Sequence, residues 1–183
     1  MKLFKFGGLY GFLVALALQG IATSVAAQTT EPKTEYLMTY VAPLDAPSVI
    51  DGGLFIFNVK ATGAWVKGPK INGTMIPPGG DWLRLMASGS MRLDVRATIK
   101  TDDGALIYMS YNGIISHTPE SAERMNKGEL LTNKDIPYFV TAPTFQTSSP
   151  KYAWLNGVQA IGKLVEVKTG EGGFVKYDVF VVR

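Results

Sequence analysis

From residue 35 to residue 182 apolar and polar side chains alternate in short runs, and each run closes on Gly, Pro, Asn or Asp. Alternation with a period of two is the mark of a strand with one buried face. The runs predict strands over 35–42, 53–60, 64–67, 70–77, 82–86, 90–100, 105–112, 137–146, 152–167 and 173–182. The separators include Gly52-Gly53, Gly68-Pro69, Pro77-Pro78-Gly79-Gly80, Asp103-Gly104 and the stretch from Gly170 to Gly173. Short strands at this spacing predict an all-β sandwich or barrel. One helix interrupts them. Thr118 is its cap, Pro119 suits the first helical position, and Gly128 suits the residue beyond its end. Glu120 and Glu123 lie early and Arg124 and Lys127 late, as the helix dipole favours. A helix this short acts as a lid or plug rather than as a layer.

The central hairpin has the clearest pattern. Met91, Leu93, Val95, Ala97 and Ile99 share one face, and Arg92, Asp94, Arg96, Thr98 and Lys100 share the other. A two-residue loop at Asp103-Gly104 would pair Ile99 with Tyr108 and put Ile107 and Met109 on the charged face. A three-residue loop with Gly104 left-handed pairs Ile99 with Ile107, Ala97 with Met109 and Val95 with Tyr111. Only the second keeps one face apolar, and a slip of one residue would invert every side chain. The polar face then carries Asp94, Arg96, Thr98, Tyr108, Ser110 and Asn112. It is either a solvated outer surface or the lining of a barrel lumen.

Composition narrows the chemistry. The chain has 183 residues, no Cys and one His. Disulfides, thiolate metal sites, cysteine nucleophiles and His-rich metal centres are excluded. His117, beside the helix cap, has no second His or Cys to share a metal with. Asp102-Asp103-Gly104 lacks the further spaced acids of a calcium loop. No metal and no cofactor is expected. Residues 1–27 read as a secretory leader: Lys2 and Lys5, an apolar stretch over 9–18, and Val25-Ala26-Ala27 before Gln28. The stretch is short for a membrane span. Residues 28–34 form a flexible lead-in, and 35–183 a single barrel domain. Removal of Lys2 and Lys5 from the 18 basic residues leaves 16 against 15 acidic ones, a formal charge of +1. The remaining cations are scattered, which argues against a nucleic-acid partner. A periplasmic or secreted protein without a stable membrane anchor is expected. An exposed barrel edge can support a homodimer.

Several motifs occur in a fixed order: Pro78-Gly79-Gly80-Asp81-Trp82, Leu93-Asp94-Val95-Arg96, Thr101-Asp102-Asp103-Gly104-Ala105-Leu106-Ile107-Tyr108, Tyr138-Phe139 to Pro143-Thr144-Phe145, and Tyr152-Ala153-Trp154-Leu155-Asn156. Over about residues 36–183 they resemble the bacterial and fungal family called domain of unknown function 3237 (uncharacterised protein family 0311). The resemblance implies a small closed antiparallel β-barrel of lipocalin-like, or calycin-like, appearance, with one short helix and no established activity. The family's pattern includes an Asp, an Arg and a Tyr that match Asp94, Arg96 and Tyr108. This favours the lumen for the polar face. The chain departs from the pattern before the second strand, where most members carry a Gly-Arg-Arg type segment and this chain has Val49-Ile50-Asp51-Gly52-Gly53.

Candidate chemistry follows from that face. Asp94 and Arg96 point the same way, so Arg96 would hold Asp94 ionised. In an active site Asp94 would accept a proton, Arg96 would stabilise an anion or enolate, and Tyr108 would donate a proton. The alternative is a structural ion pair beside an aromatic packing residue. Asp81, Trp82, Thr98, Ser110 and Asn156 are candidate ligand contacts, with Tyr152 and Trp154 on the strand face of Asn156. Three functions fit: a barrel that binds a small apolar or aromatic molecule in its lumen; a cofactor-free isomerase, lyase or hydratase acting on a carbonyl-bearing molecule; and an envelope protein without a pocket. The surroundings of Asp94 distinguish them.

Overall fold

A computed structural model of the chain describes residues 30–183. The expected leader and the first two residues of the lead-in lie outside the described residues. The elements are β1 (Thr34–Pro43), β2 (Ser48–Val49), β3 (Leu54–Asn58), β4 (Trp65–Lys67), β5 (Asn72–Leu85), β6 (Met91–Thr101) and β7 (Leu106–Ser116). They continue with α1 (Pro119–Asn126), β8 (Leu131–Thr132), β9 (Tyr138–Thr141), β10 (Thr144–Gln146), a short 3-10 helix (Ala153–Gly157), β11 (Ala160–Lys168) and β12 (Phe174–Val182). Around the ring the antiparallel neighbours run β1–β4–β5–β6–β7–β9–β11–β12 and back to β1. Eight strands close a barrel, which leaves no open edge in the ring.

The hairpin register agrees with the three-residue loop. Ile99 faces Ile107, Ala97 faces Met109 and Val95 faces Tyr111. Gly104 takes φ +86°, which supplies the left-handed residue the loop needs. Leu93, Val95, Ala97, Ile99, Ile107, Met109, Tyr111 and Ile115 are all buried. The apolar face is therefore the inside of the barrel.

Two expectations are corrected. The run Pro77-Pro78-Gly79-Gly80 does not separate two strands, since β5 continues through it. Its prolines have no N–H to give to a ladder, and the chain bulges there instead. Ile76 pairs with Thr98 and Gly80 with Arg96, so residues 77–79 face Ala97 alone. The bulge adds an even number of residues, and the inward phase of Met75 is restored at Asp81, which pairs with Val95. Gly80 is required by close approach, because a Cβ there would lie 2.7 Å from the Phe57 carbonyl oxygen. The second correction concerns 152–167. Residues 153–157 form a 3-10 turn and the strand starts only at Ala160, so Tyr152, Trp154 and Asn156 share no strand face.

The helix forms as its caps predict. The Thr118 hydroxyl accepts from the Ser121 N–H, the Ser121 hydroxyl accepts from the Thr118 N–H, and Gly128 follows the helix at φ +71°. Arg124 ties the helix to Glu129 at 2.8 Å and to Asp135 at 2.7 Å. The Thr169 hydroxyl donates to the Met125 carbonyl and so links the helix end to the β11–β12 connection.

A hollow half-barrel with one inward carboxyl

The two halves of the lumen are filled differently. Towards the 72–75, 99–101 and 107–109 end, Ile71, Met75, Ile99, Ile107, Met109 and Leu155 are fully buried and leave a packed core. The other half holds a cavity of about 380 Å³, within the size range of small-molecule sites. Phe57, Leu83, Leu93, Val95, Phe139 and Val175 give it an apolar wall. Leu44, Asp45 and Pro47, the helix-end residues Met125 and Asn126, and Lys168, Thr169 and Gly170 surround its open end.

Asp81 reaches this cavity because the bulge restores the inward phase of β5. Its Oδ1 accepts one hydrogen bond, 3.1 Å from the Asp94 backbone N–H. It has no salt bridge among the described residues. Burial raises its pKa to about 7, the Asp94 N–H opposes that rise, and the charge of Asp94 adds to it. A carboxyl balanced near neutrality in an apolar cavity can serve as either proton donor or proton acceptor.

Three tyrosines lie beside it. Tyr111 and Tyr177 line the cavity, and Tyr40 stands behind Tyr111. The Tyr40 O–H donates to the Tyr111 oxygen at 2.9 Å. The Tyr177 ring packs against Tyr40 at 5.3 Å, Phe139 at 5.4 Å and Tyr111 at 6.4 Å between centroids. Burial raises the pKa of all three phenols, so they stay protonated at physiological pH. These tyrosines were not among the expected site residues. Tyr111 did carry a signal: it is a phenol on an otherwise aliphatic inward face, and a buried hydroxyl needs a partner.

The expected catalytic trio lies elsewhere. Asp94, Arg96 and Tyr108 occupy the outer face, by the same alternation that buries Leu93 and Val95. Asp94 and Arg96 form an ion pair at 3.3 Å with half of each side chain exposed. Arg96 also lies over the Trp82 ring, 5.4 Å from its centroid, and Trp82 is on the outside too. Thr98 and Ser110 are on this outer face, where the Ser110 hydroxyl meets that of Thr144 at 3.2 Å. Asn156 braces a loop: it accepts from the Thr147 N–H at 2.8 Å and donates to the Thr147 carbonyl at 2.9 Å. Of the expected contacts, Asp81 alone is on the cavity wall.

A second, shallower cleft lies among Lys70, Asp102, Asp103, Lys151, Tyr152 and Trp154. Lys151 is paired with Asp103 and Lys70 with Glu35, so both of its lysines are already matched. Among the described residues no group of three or more His, Cys, Asp or Glu side chains is placed to hold a metal.

Fold and cavity define a class: a closed eight-stranded barrel, packed at one end and hollow at the other, with the Asp81 carboxyl on the apolar wall of the hollow part. The chain belongs to the protein family of unknown function DUF3237, whose model matches residues 32–182. A family 0311 protein of Clostridium acetobutylicum is 40% identical over 90 residues, which span 49% of this chain and 56% of that protein. A hydroalkoxylation enzyme of Penicillium herquei is 32% identical over 163 residues, 84% of this chain and 87% of that enzyme. The crystal structure of a conserved protein of unknown function from Rhodopseudomonas palustris superposes with a TM-score of 0.75 at 29% identity, covering 85% of this chain and all of that one.

Proposed function

We propose that the barrel binds a small, mainly apolar aromatic molecule in its hollow half and moves a proton on it through Asp81, without a cofactor. One observation carries this reading: the carboxyl that faces the apolar cavity has a pKa of about 7 and no cationic partner among the described residues. A half-buried carboxylate kept at an apolar wall only for structure would be paired with a cation or bonded on more than one side. The relative named a hydroalkoxylation enzyme supports the reading. Adding an alcohol O–H across a C=C bond takes a proton from oxygen and gives one to carbon, and a single carboxyl near neutrality can do both in turn. The proton-moving role expected of Asp94 thus passes to Asp81. The leader pattern of residues 1–27 makes export part of the proposal.

The test uses deuterium. The protein is incubated in D2O with 2-acetonaphthone, which has exchangeable C–H bonds, and with 2-allylphenol, which has both an O–H and a C=C bond. Mass spectrometry is expected to show deuterium on carbon in at least one of them, at a rate that rises as pH passes through about 7 and Asp81 becomes a carboxylate. Asp94, Tyr40, Tyr111 and Tyr177 are the titratable groups that bear on this ionisation, and Asp45 and Lys168 sit at the cavity rim. Equal incorporation by Asp81→Asn would overturn the assignment. Tight binding with no incorporation would leave a carrier instead of an enzyme.

A further inference from the structure

A phenol has one proton to donate, and Tyr40 gives its proton to the Tyr111 oxygen at 2.9 Å. The Tyr111 oxygen is thus an acceptor for Tyr40, and its own O–H must point away from Tyr40. Among the described residues nothing receives that O–H. Tyr111 lines the same cavity as Asp81, and no hydrogen bond joins the two side chains. Packing sets the direction: Tyr40 is fully buried on β1, and the Tyr177 ring lies against both Tyr40 and Tyr111. Tyr111 is thus a donor held from behind by Tyr40, on the wall of the cavity that Asp81 also lines.

We propose that Tyr111 is a catalytic hydrogen-bond donor for a substrate oxygen, that Tyr40 is its positioning residue, and that the substrate is an aromatic compound whose reacting carbon is next to a carbonyl. The proposal rests on the reading of the hollow half as the working site. The step balances without any further reactant. The Asp81 carboxylate removes a proton from the carbon next to the carbonyl. The C–H electron pair becomes a C=C bond, and the carbonyl π pair moves onto oxygen. The Tyr111 O–H stabilises that enolate oxygen. Return of a proton from Asp81 to carbon restores the carboxylate, and return to a different carbon of the conjugated system gives an isomer. Burial keeps Tyr111 protonated throughout, so it donates a hydrogen bond and does not compete with Asp81 as the base. The Tyr40 bond also makes the Tyr111 hydroxyl a better donor, because hydrogen bonds in a chain polarise one another.

The experiment compares two probes of nearly equal shape, 2-acetonaphthone and 2-ethylnaphthalene, on the full chain and on Tyr111→Phe and Tyr40→Phe. Fluorescence titration gives the Kd values, and infrared difference spectra give the carbonyl stretch of bound acetonaphthone. The parent is expected to bind the ketone about tenfold tighter than the hydrocarbon, the worth of one hydrogen bond, with the stretch displaced to lower wavenumber. Tyr111→Phe is expected to lose that preference and that displacement while it binds 2-ethylnaphthalene like the parent. Unchanged binding of the hydrocarbon also shows that the variant is folded. Tyr40→Phe is expected to give an intermediate displacement. A carbonyl stretch that is the same in parent and Tyr111→Phe overturns the donor role, yet leaves Asp81 untouched. A stretch in Tyr40→Phe equal to that of the parent overturns the positioning role. Failure of both probes to bind the parent overturns the reading of the cavity itself.

Discussion

Asp81 and Asp94 lie on neighbouring strands, joined by one hydrogen bond from the Asp94 N–H to Asp81 Oδ1. Their side chains have opposite surroundings. Asp94 is half exposed and paired with Arg96 at 3.3 Å. Asp81 faces an apolar cavity, and burial brings its pKa to about 7. Motif spacing favours Asp94, because Asp-x-Arg on a strand looks like a working pair. The barrel reverses that preference. The Asp94 carboxylate already has its cation and stands in water on the outer face. A carboxylate held out of water, near its own pKa at neutral pH, can exchange its proton. A recognisable charge pair and a reactive charge are thus different things, and which wall of the barrel a residue stands on separates them.

The contrast can be broken in several ways. The largest effect is expected on exchange chemistry: Asp81→Asn should slow deuterium incorporation by about 100-fold or more, the usual share of a general base, while Asp94→Asn stays within about twofold. Comparable losses in both variants would erase the distinction. The next effect is on stability. The Asp81 carboxyl is harder to ionise in the folded state than in the unfolded chain, its pKa being about 7 against 3.8. Between those values the folded state binds more protons, so its contribution to stability falls as pH rises through that window. Full burial would make this about 4 kcal/mol, and water at the open mouth reduces it to about 2 kcal/mol. Urea unfolding should therefore find Asp81→Asn about 2 kcal/mol more stable than the parent at pH 8 and equal to it near pH 3.

A steric variant sharpens the comparison of the two walls. Val175 is on the cavity wall and Tyr108 is on the outer face. Val175→Trp fills space that a ligand would occupy and should weaken 2-ethylnaphthalene binding about tenfold, whereas Tyr108→Ala should leave it unchanged. A fluorescence titration in which Tyr108→Ala is the weaker binder would move the site to the outside. The smallest effect concerns the outer pair itself. Arg96→Gln removes an exposed ion pair and a half-exposed stack on Trp82. It should cost less than about 1 kcal/mol by urea unfolding.

Much of the fold is legible along the chain. The hairpin register follows from the alternation 93–95–97–99 and from Gly104, because a two-residue loop would put Ile107 and Met109 among charges. The helix follows from Thr118, Pro119 and Gly128. The 3-10 turn at 153–157 is not legible, because Tyr152, Trp154 and Asn156 fall at the spacing of a strand face and a short tight turn has no periodicity of its own. The site was harder to read for a different reason. The inward phase of Asp81 depends on how many residues the Pro77–Gly80 bulge absorbs, and local sequence does not state that number. Tyr40, Tyr111 and Tyr177 come from β1, β7 and β12, and only closure of the ring brings them together.

Which residues alternate, where the hairpin turns, where the helix starts and stops, and which chemistries are impossible in a chain with no Cys and one His can all be read along the chain. Those properties are local, set by side-chain size, backbone freedom and hydrogen bonds a few residues apart. The tertiary structure alone decided which face of the sheet is inside, that one half of the lumen stays open, and that Asp81 rather than Asp94 meets it. Alternation distinguishes two faces without saying which one the barrel encloses. Closure removes water from one of them, and that removal converts an ordinary carboxyl into one that titrates near neutrality.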